Sequence, residues 1–316
     1  MIKKILGGLA ALLVLAVAVL GLLLFRPALD KQDLAKYAGP QSQFLELPDG
    51  AVAHYRDQGN MNGKTLVLVH GSNASLHTWE PWVKELGDTF RIITVDMPGH
   101  GLTGAIPSDD YSRASMVGFL DAVMRELGLT GFALGGNSMG GGIAAHYTIA
   151  YPEKVSHLIL VSSGGFPASP DREVPLAFRM ASTPIVKDLM PYMGSRAMVE
   201  DGLKNVIVDD TLVTEEMIDR YSDLNRYKGN REAMVQRFGL YGMQDDVLPA
   251  RLGEIDVPTL ILWGEKDYLI PVENAHKFDE AISDSTLVIY ENAGHIAMEE
   301  VPEKSAADVR AFLEKQ

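Results

Sequence analysis

Five residues, Gly136-Asn137-Ser138-Met139-Gly140, constrain this chain more than any others. They form a G-x-S-x-G pentapeptide between a strand-like run, 131–136, and a helix-like run, 139–151, that stops at Pro152. A chain that reverses so sharply from strand to helix holds the serine in a strained backbone conformation. Glycine two residues to either side removes side chains that would collide there. Such a turn holds the serine hydroxyl out over the edge of a sheet, with a helix N-terminus behind it. The pentapeptide alone is a weak signal, so its surroundings and partners decide.

The surroundings are a series of β-rich apolar runs. Residues 43–47 and 51–55 alternate as strands around Pro48-Asp49-Gly50, which reads as a hairpin. Runs 65–69, 91–95, 131–136, 155–161, 259–263 and 286–290 suit strands buried on both faces, and helix-length segments separate most of them. Alternation of this kind implies a parallel, doubly wound α/β sheet. Between Gly165 and Arg251 the strand signals stop and helical pattern takes over. Ordinary connections in such folds run to about 2–6 residues, so 166–251 reads as a helical cap inserted over the sheet's C-terminal edge. The core is then 43–165 together with 252–316.

Residues 5–25 are uncharged and almost wholly apolar, flanked by Lys3-Lys4 and by Arg26-Pro27. A helix needs about 20 such residues to cross a bilayer, so 1–27 reads as a single transmembrane anchor and 28–42 as a juxtamembrane linker. The competing reading is a cleaved signal peptide. That would have an apolar region of about 7–15 residues and a small-residue cleavage site, which Leu22-Leu23-Leu24-Phe25-Arg26 does not offer. Lys3, Lys4 and the terminal amine favour a cytoplasmic N-terminus, which would put the catalytic domain on the non-cytoplasmic side; Arg26 and Lys31 pull the other way. The expected location is thus the membrane, by a single N-terminal pass.

Composition narrows the chemistry. A formal net charge of −14 without any Lys/Arg cluster argues against a nucleic-acid partner. The chain has no cysteine, which excludes a thiolate nucleophile, a disulfide framework and a Cys-ligated metal. The histidines show no H-E-x-x-H or similar spacing, so no metal is expected, nor any other cofactor. At 316 residues and 47% hydrophobic, the chain can bury a large core.

A serine hydroxyl needs a base within hydrogen-bond reach, itself oriented by a third group. Leu262-Trp263-Gly264-Glu265-Lys266-Asp267 ends a predicted strand in an acid, and Asn292-Ala293-Gly294-His295 follows the last predicted strand with a histidine in a loop. The candidates in chain order are Ser138, Asp267 and His295. His70 and His100 stand in Gly/Pro-rich loops and read as structural, as do His146 in a helix and His157 in a strand. Asp96 reads as tying its loop together. Glu299 and Glu300 could tune the base, though a solvated helix start is the plainer reading.

With those motifs in hand, the chain resembles the α/β-hydrolase superfamily from about residue 43 to its end. The resemblance rests on His70-Gly71, Asp96-Met97-Pro98-Gly99-His100-Gly101, Gly136-Asn137-Ser138-Met139-Gly140-Gly141, Gly264-Glu265-Lys266-Asp267 and Gly294-His295, in that order. It implies an α/β-hydrolase fold with a helical cap, Ser138 as nucleophile, His295 as base and acid, and Asp267, rather than Glu265, as the orienting carboxylate. It further implies an oxyanion hole made by the backbone N–H groups of Ser72 and Met139. Haloalkane dehalogenases and epoxide hydrolases are similar but need a carboxylate where Ser138 stands. The resemblance to bacterial lipases and esterases, and to membrane-anchored monoacylglycerol-lipase-type enzymes, implies a lipophilic ester as the small-molecule partner. The elbow and cap are also similar to those of meta-cleavage carbon–carbon bond hydrolases, which implies an alternative. A non-catalytic hydrolase-fold binding protein is a third reading, against which all three triad members stand.

Overall fold

The computed structural model of the chain describes residues 21, 25–167, 176–240 and 248–315. Apart from residues 21 and 25, the apolar run expected to anchor the chain lies outside them. No helix among the described residues is long and apolar enough to cross a membrane.

Eight strands form one sheet: β1 (Ser42–Glu46), β2 (Val52–Gly59), β3 (Thr65–Val69), β4 (Arg91–Val95), β5 (Phe132–Asn137), β6 (Val155–Val161), β7 (Thr259–Gly264) and β8 (Ser285–Tyr290). Their spatial order is β1-β2-β4-β3-β5-β6-β7-β8. β2 pairs antiparallel with both β1 and β4, and every other pairing is parallel. Each strand expected from the sequence is present within a few residues. The largest difference is at β2, which continues through Arg56-Asp57-Gln58-Gly59 because its second edge pairs with β4 from Tyr55↔Val95 to Gly59↔Arg91. A polar strand of that kind carries no apolar alternation to read.

The continuous apolar runs are explained by burial on both faces. Along β3, Val67 and Val69 join one core cluster and Leu66 and Leu68 the other. Along β6 and β7, Leu158, Leu160, Ile261 and Trp263 face the first, with Ile159, Leu260 and Leu262 facing the second. Period-2 alternation is intact, but both faces are apolar.

The helices are α1 (Glu80–Leu86), α2 (Arg113–Glu126), α3 (Met139–Ala150), α4 (Leu176–Ala181), α5 (Val186–Leu189), α6 (Arg196–Lys204), α7 (Glu215–Asn225), α8 (Asn230–Gly239), α9 (Leu248–Arg251), α10 (Glu273–Ala281), α11 (Ala297–Glu300) and α12 (Pro302–Glu314). Helices α4 to α9 fill the stretch between β6 and β7. Ser112, Ser195 and Thr214 open α2, α6 and α7 with side chains that accept from the N–H three residues on.

The stretch before β1 is strapped to the body. Arg26 N donates to Tyr192 O at 3.0 Å, Leu29 N to Arg226 O at 2.7 Å, and Lys228 N to Leu29 O at 3.1 Å. Leu34 is fully buried with Leu102 and Leu224. Tyr37 Oη donates to Asp223 Oδ2 at 3.0 Å, and its carbonyl accepts from Arg56.

Candidate active site

The elbow between β5 and α3 shows why its glycines are needed. Ser138 sits at φ 53, ψ −119, a conformation that side chains rarely adopt. A Cβ on Gly136 would run into the Gly140 carbonyl, and one on Gly140 into the Val69 and His70 carbonyls. The turn is pinned by Ser138 N to Val161 O at 3.0 Å and Gly164 N to Ser138 O at 2.8 Å. Ser138 is 9% exposed.

The structure brings Asp267 and His295 together. His295 Nδ1 lies 2.8 Å from Asp267 Oδ2, and the carboxylate's other oxygen accepts from Leu269 N at 2.8 Å and Ile270 N at 2.9 Å. A carboxylate only accepts, so the imidazole carries its proton on Nδ1 and leaves Nε2 as the basic atom. Ser138 is joined to this pair through its neighbour: Asn137 Nδ2 donates to Val161 O at 3.1 Å and to His295 O at 3.0 Å. Among the described residues, Ser138 Oγ itself forms no hydrogen bond. Contacts of this kind are commonly loose in an unliganded site.

Gly71 lies against the elbow, where a Cβ would stand 3.2 Å from that of Ser138. Ser72 follows it. His70 Nδ1 is 2.7 Å from Gly71 O, and its Nε2 accepts from Met97 N at 3.0 Å, which fixes the proton on Nδ1. Burial depresses the His70 pKa, keeping the ring neutral and this arrangement intact. Since Gly71 C=O and Ser72 N–H share one trans peptide, holding the carbonyl points the N–H the opposite way. Met139 is the first residue of α3, so its N–H has no acceptor within the helix.

Asp96 ties the neighbouring loop together. Its fully buried carboxylate meets His54 Nδ1 at 2.6 Å and accepts from Leu76 N at 2.7 Å and Leu102 N at 2.8 Å. His100 packs edge-on against His70, and His157 against Phe312.

Of the residues around the site, Glu299 and Glu300 stand out in the sequence beside the histidine, whereas Val206, Asn225 and Arg237 do not. Glu299 and Glu300 are not a solvated helix start. Glu299 accepts from Thr78 Oγ1, from Tyr221 Oη at 2.9 Å and from Arg220 Nη2 at 2.8 Å, while Glu300 accepts from Gly294 N at 2.9 Å and Val208 N at 2.8 Å. Burial pushes the Glu300 carboxyl up, against the pull of those N–H donors. Val206 O accepts from His295 N at 2.8 Å, and Asn225 Nδ2 donates to Asn73 O at 2.9 Å. Arg237, on α8, places a buried guanidinium beside Gly99 and His100, and among the described residues none of its three nitrogens has a hydrogen-bond partner.

The alpha/beta hydrolase fold family matches residues 64–302. Over 268 residues, 81% of this chain and 90% of the relative, the chain is 28% identical to a 2-hydroxy-6-oxononadienedioate/2-hydroxy-6-oxononatrienedioate hydrolase of Klebsiella pneumoniae. A 2-hydroxy-6-oxo-6-phenylhexa-2,4-dienoate hydrolase of Comamonas testosteroni is 29% identical over 276 residues, 82% of this chain and 91% of the relative. Among solved structures, a membrane phospholipase A superposes with a TM-score of 0.73 at 24% identity, covering 99% of this chain and 98% of that one, a likeness of fold. Strained serine elbow, Asp–His pair, sheet order and matched sequence agree: the chain belongs to the α/β-hydrolase family.

Proposed function

We propose that the protein is a serine hydrolase that cleaves a carboxylic ester through an acyl-enzyme, with Ser138, His295 and Asp267 as its triad. The observation that carries this reading is a serine in the strained elbow, joined through Asn137 to a histidine whose Nδ1 is committed to a buried carboxylate. Ser138 Oγ attacks the ester carbonyl as His295 Nε2 takes its proton. The N–H groups of Ser72 and Met139 hold the oxyanion, each worth about 2.7–4 kcal/mol in comparable sites. His295 returns the proton to the departing alcohol, and water, activated by the same ring, releases the acid.

The substrate we assign is a lipophilic ester, such as a monoacylglycerol or a short-to-medium acyl ester. Its support is the apolar run 5–25, which we read as a single-pass anchor with the catalytic domain outside the cytoplasm, and the helical segment 166–251, which we read as a cap over the site. Purified protein should turn over p-nitrophenyl esters and a Ser138→Ala variant should not; equal rates would sink the reading. Protein whose N-terminus begins after Phe25, or full-length protein that stays in solution without detergent, would refute the anchor.

A second reading is a carbon–carbon bond hydrolase, favoured by the names of the Klebsiella and Comamonas relatives. Bleaching of a yellow meta-cleavage product faster than ester turnover would establish it in place of the first.

A further inference from the structure

Helix α7, in the segment inserted between β6 and β7, reaches two parts of the site that come from opposite ends of the core sequence. At its last residue, Asn225 Nδ2 donates both to Asn73 O and to Tyr221 O, each at 2.9 Å. One turn earlier, Arg220 and Tyr221 bind the Glu299 carboxylate, four residues beyond His295. Asn73 directly follows Ser72 and stands at φ 59, in the left-handed region that costs a side-chain-bearing residue about 1–3 kcal/mol unless its surroundings hold it. Its own Oδ1 is buried without a partner among the described residues, so there its side chain does not fix the turn through that atom. Ala74 N closes the turn onto Gly71 O at 3.3 Å, and the bond from Asn225 adds a hold from outside the loop.

We propose that Asn225 is a positioning residue for the oxyanion-binding loop. The loop is held at two carbonyls on either side of the Ser72 N–H: Gly71 O by the His70 ring and Asn73 O by Asn225. With the second hold removed, the turn at Asn73 can relax and the Ser72 peptide can rotate. The donor then misses the point where charge develops, while the space that receives the ground-state ester is little altered. Asn225 thereby lowers the barrier to the tetrahedral intermediate without touching substrate, and it makes the inserted helix part of the oxyanion hole. The inference rests on the esterase reading above.

The test compares wild-type protein with Asn225→Ala and with Asn225→Asp, which keeps the size but sets a carboxylate against the Asn73 carbonyl. Expected for p-nitrophenyl butyrate is a kcat about 10- to 100-fold lower with KM nearly unchanged. Inhibition by butylboronic acid, whose serine adduct is tetrahedral, should weaken by a similar factor. The pH–rate profile should not move. Unchanged kcat, a kcat loss with boronate affinity intact, a displaced pH profile, or activity that merely follows the folded fraction in thermal melts would each overturn the proposal. If the wild type shows neither ester turnover nor boronate inhibition, the esterase reading itself falls; if it shows both and the variants match it, only the role of Asn225 falls.

Discussion

The backbone N–H of His295 donates to the carbonyl of Val206 at 2.8 Å. The histidine loop is therefore tied to the segment inserted between β6 and β7 as well as to the sheet. Two residues apart on that segment, Val206 accepts from the loop and Val208 donates to Glu300. A disturbance of either contact should reach the base.

Glu300 is the clearest handle on this coupling. Glu300→Ala removes the acceptor of two N–H groups, and the loss should lower kcat about 10-fold and cost about 1–3 kcal/mol of stability. The pH dependence has a definite sign. Burial raises the Glu300 carboxyl above its ordinary 4.5, so its contribution is fullest below that value and declines as pH rises through the higher folded-state value. Urea titrations of wild type and Glu300→Gln should show a stability difference that moves against the wild type as pH is raised from below 4.5.

Asp267→Asn should reduce kcat by about 10⁴-fold with little effect on Tm. A carboxamide has one oxygen to serve Leu269 N, Ile270 N and His295 Nδ1, and it turns an NH₂ toward one of them. The ring then loses the acceptor that keeps its proton on Nδ1. Wild-type kcat in this variant would exclude Asp267 as the orienting acid.

Asp96 should control acid stability. Burial alone would raise its carboxyl, but the His54 ring bonded to it at 2.6 Å holds it well below the ordinary 3.8. A depressed folded-state value gives stability that is present above the unfolded pKa and lost as pH falls through the folded one. Asp96→Asn strips the charge from a buried, hydrogen-bonded network and should cost about 3–5 kcal/mol near neutral pH. Urea denaturation at pH 7, with a loss below about 1 kcal/mol, would contradict this.

Arg237→Met should raise Tm by a few degrees in scanning calorimetry. Burial pushes the guanidinium's pKa down to about 9, and among the described residues none of its nitrogens has a hydrogen-bond partner. An uncompensated buried cation is a cost that an apolar side chain of similar length avoids. A fall in Tm would refute that cost.

What the sequence made legible was local. The elbow, the two-faced strands and the residues after strand ends are written in or beside runs of five to seven residues: Ser138 follows β5 directly, and Asp267 and His295 stand in the loops after β7 and β8. Sheet class followed for the same reason. Partners separated by long stretches of chain could not be read this way. Glu299 looks like any acid in a first helical turn until Tyr221 and Thr78, respectively 78 and 221 residues away, are seen to bind it. Asn225 and Val206 carry no mark at all, because a carbonyl or amide contact depends on where the backbone passes, not on the pattern around it. The polar end of β2 was missed because its order comes from pairing on a second edge rather than from burial.

Arg26 bonds Tyr192 immediately after the apolar run, and Leu29 is paired on both sides with Arg226 and Lys228. No slack chain is left between that run and the folded body. Residues 26–29 thus sit at a fixed place on the inserted segment, as part of the folded body rather than as a free linker.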